Sequence, residues 1–244
     1  MVTAIPGDFH ILEIGCKKLG IVTAYNLAKR IVINAGYGTE IEWQASLDFD
    51  LITEADFLRE HAWVVLSTGM HERIIRRYFG VISACFCGWQ SARIIVEQEG
   101  NCRNLALSYF NNHRKIDGII ETAGIIASFG FSSYKEEIRR NPLQALQSLP
   151  FVGPVTRYHL AKNIGLPFAK PDRHLVRLAT SVGYSDIQQF CKDISECVDD
   201  SIPVVDIVLW RFANITDEYV SIFSDTAFQE KNQCTNLCKR SSFI

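Results

Sequence analysis

The sequence predicts an all-α protein, and three observations support that class. Apolar residues recur at helical spacing along most of the 244 residues, as they do in the stretch 20–34. Alternation of apolar and polar residues, which would predict strands, is not sustained anywhere. Residues that start or stop helices, such as Thr53, Pro142 and Gly165, bound the periodic stretches. About ten helices are therefore expected, without an internal repeat.

Polar and glycine-containing breaks divide the first half of the chain into helices. The stretch 20–34 predicts a helix that ends at Gly36, and Glu40 to Gln44 could be extended. Thr53, with Asp56 three residues later, resembles a capping box and begins a helix that ends near Ser67. Further helices are expected over 72–79, 92–99, 102–110 and 115–129 and from Ser132, with Gly100-Asn101 and the basic stretch 111–115 as breaks.

Residues 141–181 carry the most specific pattern in the chain: helix, tight turn, helix, short link, helix. Pro142 suits a first helical turn, where a missing N–H costs nothing. Pro150 ends that helix, and residues 150–154 are short and rigid enough to form a hairpin. Gly165 is expected to end the second helix, and Asp172 to cap the third. Helices over 187–198 and 204–214 should follow, before a polar tail from Thr226.

Composition limits the classes of protein that this chain can belong to. A formal charge of −2 excludes a basic protein overall, so any nucleic-acid site must be a local patch. Met1 to Gly7 lacks the basic start and apolar core of a signal peptide, and no apolar run reaches the ~20 residues that span a bilayer. Eight cysteines without a secretory signal predict reduced thiols. We expect a soluble, intracellular monomer that does not bind membranes.

One pattern within 141–181 resembles a known family. Leu149-Pro150-x-Val152-Gly153, followed by Pro171-Asp172-x-His174-x-x-Arg177, is similar to the signature of the helix-hairpin-helix DNA glycosylases. The likeness extends more weakly from Phe57 to Ala213, and Phe151 stands where the family hairpin has its first glycine. The resemblance implies two helical domains flanking a DNA-binding cleft. One would be a bundle, 56–164, ending in the helix-hairpin-helix at about 143–164; the other, 1–55 plus 165–244, would carry the catalytic Asp.

The same resemblance implies an activity, a DNA base-excision repair N-glycosylase. Such an enzyme flips a damaged or modified base out of double-stranded DNA and hydrolyses its glycosidic bond without a required cofactor. Asp172 would stabilise the charge that develops on the sugar, or activate water. Relatives that also cut the backbone carry a Lys where Val155 stands, so a monofunctional enzyme is implied. Two alternatives remain. One is an enzyme with lyase activity through a displaced lysine, Lys162 or Lys170, and the other is a DNA-binding protein without catalysis.

The resemblance also assigns DNA contacts. Hairpins of this family hold a phosphate through backbone N–H groups at a helix N-terminus, which here would come from Gly153, Val155 and Thr156. A monovalent or divalent cation could be bound by the backbone carbonyls of Gln147, Leu149 and Val152. The loop that contains Asn112, His113 and Arg114 aligns loosely with a family loop that enters the duplex. The loop that contains Thr68 aligns with another that fills the gap left by the flipped nucleotide. A DNA-associated protein of the cytoplasm or nucleoid is expected.

Aromatic residues and cysteines complete the set of candidates. Because a flipped base stacks on aromatic side chains, Trp43 in a polar stretch and Trp210 in an apolar helical one are candidates for a base pocket. Some relatives hold an iron–sulfur cluster with four closely spaced cysteines near the C-terminus. Only Cys234 and Cys238 lie there in this chain, so a cluster is not expected. The excised base stays open among oxidised, alkylated, deaminated and otherwise modified bases.

Overall fold

The structure is a computed structural model that describes the backbone of residues 6–241 and the side chains of residue 15 and residues 17–234. Within those bounds the chain is all-helical, as predicted, with fourteen α-helices and no strand. Most of the stretch Met1 to Gly7, on which the expectation about a signal peptide rests, lies outside the described residues. The side chain of Cys238 also lies outside them. No described helix combines the length and the apolar character that crossing a membrane requires.

The helices follow one another through short connections. In the first half they are α1 (Pro6–Val32), α2 (Gly38–Ala45), α3 (Glu54–Ser67), α4 (Glu72–Cys85), α5 (Ala92–Glu97), α6 (Glu99–Tyr109) and α7 (His113–Phe129). In the second half they are α8 (Phe131–Arg140), α9 (Pro142–Gln147), α10 (Thr156–Asn163), α11 (Arg173–Ser181), α12 (Ile187–Ser195), α13 (Ile202–Ile215) and α14 (Tyr219–Ser241).

The chain forms two compact units. Unit 1 joins the chain up to Ser46 with the chain from Pro167 onward, and unit 2 spans Leu47–Leu166. The predicted bundle began at residue 56, whereas unit 2 also includes the loop before α3. That loop is fastened to α8, because Lys135 Nζ donates to the carbonyls of Asp50 and Ile52 at 2.8 and 3.0 Å. That two domains flank a DNA-binding cleft stays a prediction.

Unit 1 is built around a core that both ends of the chain supply. Tyr25 of α1 is fully buried with Phe190, Phe212 and Phe223 of the C-terminal helices. The Tyr25 hydroxyl donates to Asp200 at 2.6 Å, and Lys29 pairs with the same carboxylate at 2.7 Å. These bonds tie the connection between α12 and α13 to α1. The core therefore needs residues that are far apart in sequence.

Two local predictions in unit 1 were wrong, and its tail forms a helix that was not predicted. Glu40 to Gln44 lies in α2 and is not extended, because Ile41 and Gln44, three residues apart, are both buried on one helical face. The polar tail from Thr226 belongs to α14, which packs so closely on α1 that a Cβ on Gly20 would lie 2.1 Å from the Ala227 carbonyl oxygen. Cys234 is disulfide-bonded, contrary to the expected reduced thiols, whereas Cys85, Cys87, Cys102 and Cys197 are free thiols.

In unit 2, α3 and α7 are the central helices. The capping box at Thr53 and Asp56 is present, as predicted, with Thr53 Oγ1 accepting from the Asp56 N–H at 3.2 Å. Gly100-Asn101 is not a break, since it lies inside α6 and the boundary falls at Gln98 instead. The basic stretch 111–115 is only partly a loop, because α7 already begins at His113.

Candidate functional site

The predicted hairpin is a tight turn between α9 and α10. Leu149 and Val152 are buried at 3% and 5% exposure, and the Leu149 carbonyl accepts the Val152 N–H at 3.1 Å. Phe151 has a φ of +62°, the left-handed conformation that glycine adopts at no cost and that strains other residues by about 1–2 kcal/mol. Its ring lies against Gly118 of α7, where a Cβ would come within 2.5 Å of Phe151 Cδ2. Phe151 thus adopts a strained conformation at the position that is glycine in the family pattern. Its ring packs on Gly118 of α7.

A buried histidine attaches the hairpin to α3 and α7. His61 is 1% exposed, and its Nε2 lies 3.3 Å from the Pro150 carbonyl oxygen and 3.1 Å from Thr122 Oγ1. Burial lowers the pKa of His61 to about 4, so the ring is neutral at pH 7. In the tautomer that carries the proton on Nε2, the ring donates to Pro150. The position of the turn therefore depends on a neutral histidine.

The N-terminus of α10 presents open backbone donors. Of the three predicted phosphate donors, the Gly153 N–H is already bonded to Thr156 Oγ1 at 2.6 Å. The N–H groups of Val155 and Thr156 make no hydrogen bond within the described residues. The positive end of the helix dipole lies at the same place, and such a helix start binds anions. The geometry therefore leaves two of the three donors available.

The predicted cation site at the hairpin remains a prediction. One of its three carbonyls, Leu149, is used by the turn itself, and the Gln147 side chain accepts a bond of 2.6 Å from Arg157 Nη1. Within the described residues no group of three or more His, Cys, Asp or Glu side chains is placed to hold a metal ion. A cation bound at the hairpin would depend on carbonyl oxygens such as that of Val152.

The two loops predicted to enter the duplex lie side by side in unit 2. Lys115 of α7 is 7% exposed, and its Nζ donates to the carbonyls of Leu66 and Thr68 at 2.7 and 2.6 Å. Asn112 caps α7, since its Oδ1 accepts the Lys115 N–H at 3.2 Å. The loop after α3 is therefore held against the first turn of α7. Sequence reasoning placed Lys115 where a polar loop meets a helix and missed its buried role, although Lys115, Ile119 and Thr122 share one helical face.

Exposed residues of these elements are linked by contacts between the neighbouring elements. Thr68, His113 and Arg114 are exposed, and the Arg114 guanidinium lies 5.9 Å from the centre of the Phe151 ring. We call the surface formed by residues 68–70, 113–114, 151 and 153–156 the contact surface. The structure thus brings together all the predicted DNA-binding residues, with the half-buried Asn112 behind them as a cap.

Asp172, the predicted catalytic residue, caps α11 in unit 1. Its Oδ1 accepts the N–H groups of His174 and Leu175 at 2.9 and 3.1 Å, as expected for an N-cap. Its Oδ2 makes no hydrogen bond within the described residues. The side chain is half-buried. One carboxylate oxygen is therefore fixed by the helix, and the other is left without a hydrogen bond among the described residues.

The segment before Asp172 is held by two polar side chains, the half-buried Gln188 and the buried Asp206. Gln188 accepts the Ala169 N–H at 3.0 Å and donates to the Ala169 carbonyl at 2.7 Å. Asp206, 2% exposed, accepts the Lys170 N–H at 2.6 Å. Sequence reasoning missed both residues, and the signal for Asp206 was a carboxylate inside an apolar helix. Together they fix the position of the chain that carries Asp172.

The two base-pocket candidates flank one ion pair in unit 1. Arg211, 7% exposed, bonds Glu40 at 2.6 Å, and its guanidinium lies 4.2 Å from the Tyr37 ring and 4.7 Å from the Trp210 ring. Trp43 lies one turn beyond Glu40 on α2, and Trp210 lies one turn beyond Asp206 on α13. Both tryptophans are half-buried. Trp210 therefore lies on α13, the helix whose Asp206 also holds the Asp172 segment, whereas Trp43 lies on α2.

A cavity of about 790 Å³ lies elsewhere in unit 2, and none of the candidate residues lines it. Its lining is formed by Val96, Glu99, Asp117, Ile120, Glu121, Gly124, Ile125, Ser128 and Phe129. Comparison of the chain with models of protein families, with curated proteins and with solved structures finds no match.

Proposed function

We propose that the protein is a monofunctional DNA N-glycosylase of the base-excision repair type. The observation that carries the proposal is the order of two local structures along the chain. A tight Leu149–Gly153 turn leads into a helix with open N–H groups at Val155 and Thr156, and Asp172 with an open Oδ2 follows. Backbone donors at a helix start bind phosphate, and a positioned carboxylate stabilises an oxocarbenium-like sugar.

The contact surface would supply DNA binding. With a net charge of −2 the protein has no general attraction to DNA, so local donors must provide it. The N–H groups of α10 would bind one phosphate, and His113 and Arg114 would contact neighbouring phosphates. The exposed Thr68, Gly69 and Met70 would occupy the space that a flipped nucleotide leaves.

Asp172 would carry the chemistry. As the bond between C1′ of the sugar and the base nitrogen breaks, positive charge develops on the sugar and the base leaves with the bonding electrons. The Asp172 carboxylate would stabilise that charge and accept a proton from the water whose oxygen adds to C1′. Asp172 would then release this proton to solvent, and the departed base would take up one proton from solvent, which leaves an abasic site and a neutral free base. The aromatic rings of Trp43 and Trp210 would stack on the extracted base.

The second candidate function is a glycosylase that also cuts the backbone through a Schiff base. Val155, 42% exposed, stands where the nucleophile would be and has none. Lys162 is 4% exposed and therefore cannot reach a sugar, whereas Lys170 is half-buried and lies two residues before Asp172. Lys170 is the residue that favours this alternative. Borohydride should trap no covalent adduct if Val155 marks a monofunctional enzyme, and a trapped band that disappears in Lys170→Met would support the lyase.

A panel of duplexes, each with one lesion, tests the proposal directly. The protein is incubated with each duplex, and hot alkali then cleaves any abasic site that has formed. Cleavage with one class of lesion, lost in Asp172→Asn, is the expected result. Tight binding to abasic DNA without cleavage in any lane would instead identify a DNA-binding protein without catalysis. If the protein neither binds nor cleaves any duplex of the panel, the proposal is wrong.

A further inference from the structure

Lys115 is a buried cation at the end of another helix. Its Nζ donates to Leu66 and Thr68, whose carbonyls close the C-terminus of α3. The last carbonyls of a helix lack partners within it, and the negative end of the helix dipole favours a cation there. Burial lowers the pKa of Lys115, so its position is maintained against a desolvation cost. Lys115 therefore also constrains the loop that follows α3.

The loop 67–70 is attached to α7 through this amine. Its other hydrogen bonds are local: the Met70 N–H donates to Ser67 at 3.0 Å, and Thr68 Oγ1 donates to Val64 at 2.7 Å. Among the residues that the structure describes, the hydrogen bonding between this loop and another element is donated by Lys115. Without the amine the loop would keep its own turn but lose its place beside α7.

We propose that Lys115 is a positioning residue for DNA binding. It fixes the loop 67–70 beside His113 and Arg114, so that the separate parts of the contact surface meet a duplex together. Its buried amine is engaged by two carbonyls and does not itself contact DNA. The inference rests on the proposed function, which it deepens by naming a residue that sets the shape of the DNA-binding site.

The chain contains a matched control for this role. Lys135 of α8 uses the same device on the loop before α3, where its Nζ donates to the carbonyls of Asp50 and Ile52. That loop contributes no residue to the contact surface. Replacing either lysine by Met keeps an unbranched apolar stem and removes the donors. Each variant therefore loses two bonds to loop carbonyls, from a buried amine at Lys115 and a half-buried one at Lys135, and only Lys115→Met should affect DNA binding.

The experiment compares Lys115→Met and Lys135→Met in the full chain. It measures affinity for a duplex with a single abasic site, and hydrogen exchange at the amides of Gly69 and Met70. Lys115→Met should weaken binding by ~10-fold to ~100-fold, as misplacement by about 1 Å can do, and should speed exchange at both amides. Lys135→Met should leave both quantities close to the parent. Lys115→Arg, which keeps the charge and the donors, should recover part of the affinity.

Three results would overturn the inference. One is unchanged exchange at Gly69 and Met70 in Lys115→Met, because the amine would then not hold the loop. The second is an equal loss of DNA affinity in both Met variants, which would indicate a general effect on stability. The third is a parent protein that binds no duplex. That result would defeat the proposed function as well, while exchange at Gly69 and Met70 would still show whether Lys115 fixes the loop.

Discussion

At the scale of single residues, Asp172 combines a structural and a chemical role on different oxygens. Its Oδ1 caps α11, and its Oδ2 is open. Asp172→Asn should keep the cap, because Asn caps helices about as well, but it removes the negative charge. We expect thermal stability close to the parent, unchanged binding to abasic DNA, and excision slower by ~10²–10³-fold, the usual cost of one preorganised electrostatic contact.

Single-turnover excision on the substrate found in the lesion panel measures this prediction. Excision at the parental rate would remove Asp172 from the mechanism. An unfolded variant would show that the cap needs a carboxylate, in which case the catalytic role loses its main support.

Gln188 acts at a distance by holding the chain before Asp172. Gln188→Leu would leave the N–H and the carbonyl of the buried Ala169 without their partner, and each unsatisfied group costs about 1–3 kcal/mol. We expect a lower free energy of unfolding and slower excision with near-normal DNA affinity. Gln189→Leu, on the exposed side of the same helix, is the control. Equal effects of the two substitutions in urea unfolding would contradict the anchoring role.

His61 makes stability depend on pH. Its pKa is about 4 in the folded protein and about 6.5 when unfolded, so the unfolded chain binds the extra proton first. The contribution of neutral His61 to the free energy of unfolding is complete above pH 6.5 and is lost as the pH falls toward 4. The loss amounts to about 2 kcal/mol by pH 5. His61→Gln should lack this loss. Urea unfolding at pH 7 and pH 5 compares the two proteins, and equal losses would show that His61 is not held neutral.

At the scale of elements, the hairpin and the first turn of α10 form one anion-binding unit. A Cβ on Gly153 would meet only Thr156 Oγ1, at 3.8 Å, so Gly153→Val should fold normally. Its branched side chain would stand beside the open N–H groups and keep a phosphate away. We expect weaker binding to abasic DNA, with little dependence on the base opposite the site.

Gly100→Val is a suitable control for this prediction, because a Cβ there meets nothing within 4 Å and Gly100 lies on α6, outside the contact surface. Binding is measured by titration of a labelled duplex. A folded Gly153→Val variant with parental affinity would show that the hairpin is not the DNA anchor.

At the scale of the whole molecule, the two units differ in how the chain builds them. Unit 2 is continuous and contains its own buried residues, including Phe57, Phe86 and Ile116. The fragment 47–166 is within the usual size of a domain, about 100–150 residues, and should unfold cooperatively by circular dichroism. It should bind abasic DNA and excise nothing, because it lacks Asp172.

The fragment 167–244 is the complementary test. Without α1 it loses Tyr25 and Ala28 from the core of unit 1, so it should not fold alone. A fragment 47–166 that remains unfolded, or a fragment 167–244 that melts cooperatively, would contradict the division into two units.

Features that depend on neighbouring residues could be predicted from the sequence. Thr53 and Asp172 were expected as N-caps and Pro142 in a first turn, and all three are found there. Caps are predictable because the bonds that form them join residues two or three positions apart. The failures at Glu40–Gln44 and Gly100-Asn101 arose where packing overrides weak local preferences.

By itself the sequence determined the helical class, the cap at Asp172 and the hairpin pattern that suggests DNA. Only the tertiary structure decided which polar residues are buried and what they hold. Lys115 reaches carbonyls 47 and 49 positions away, and Arg211 meets Glu40 across 171 positions. The physical reason is that a charged side chain is buried only where distant segments satisfy its hydrogen bonds, and no local pattern records which segments those are.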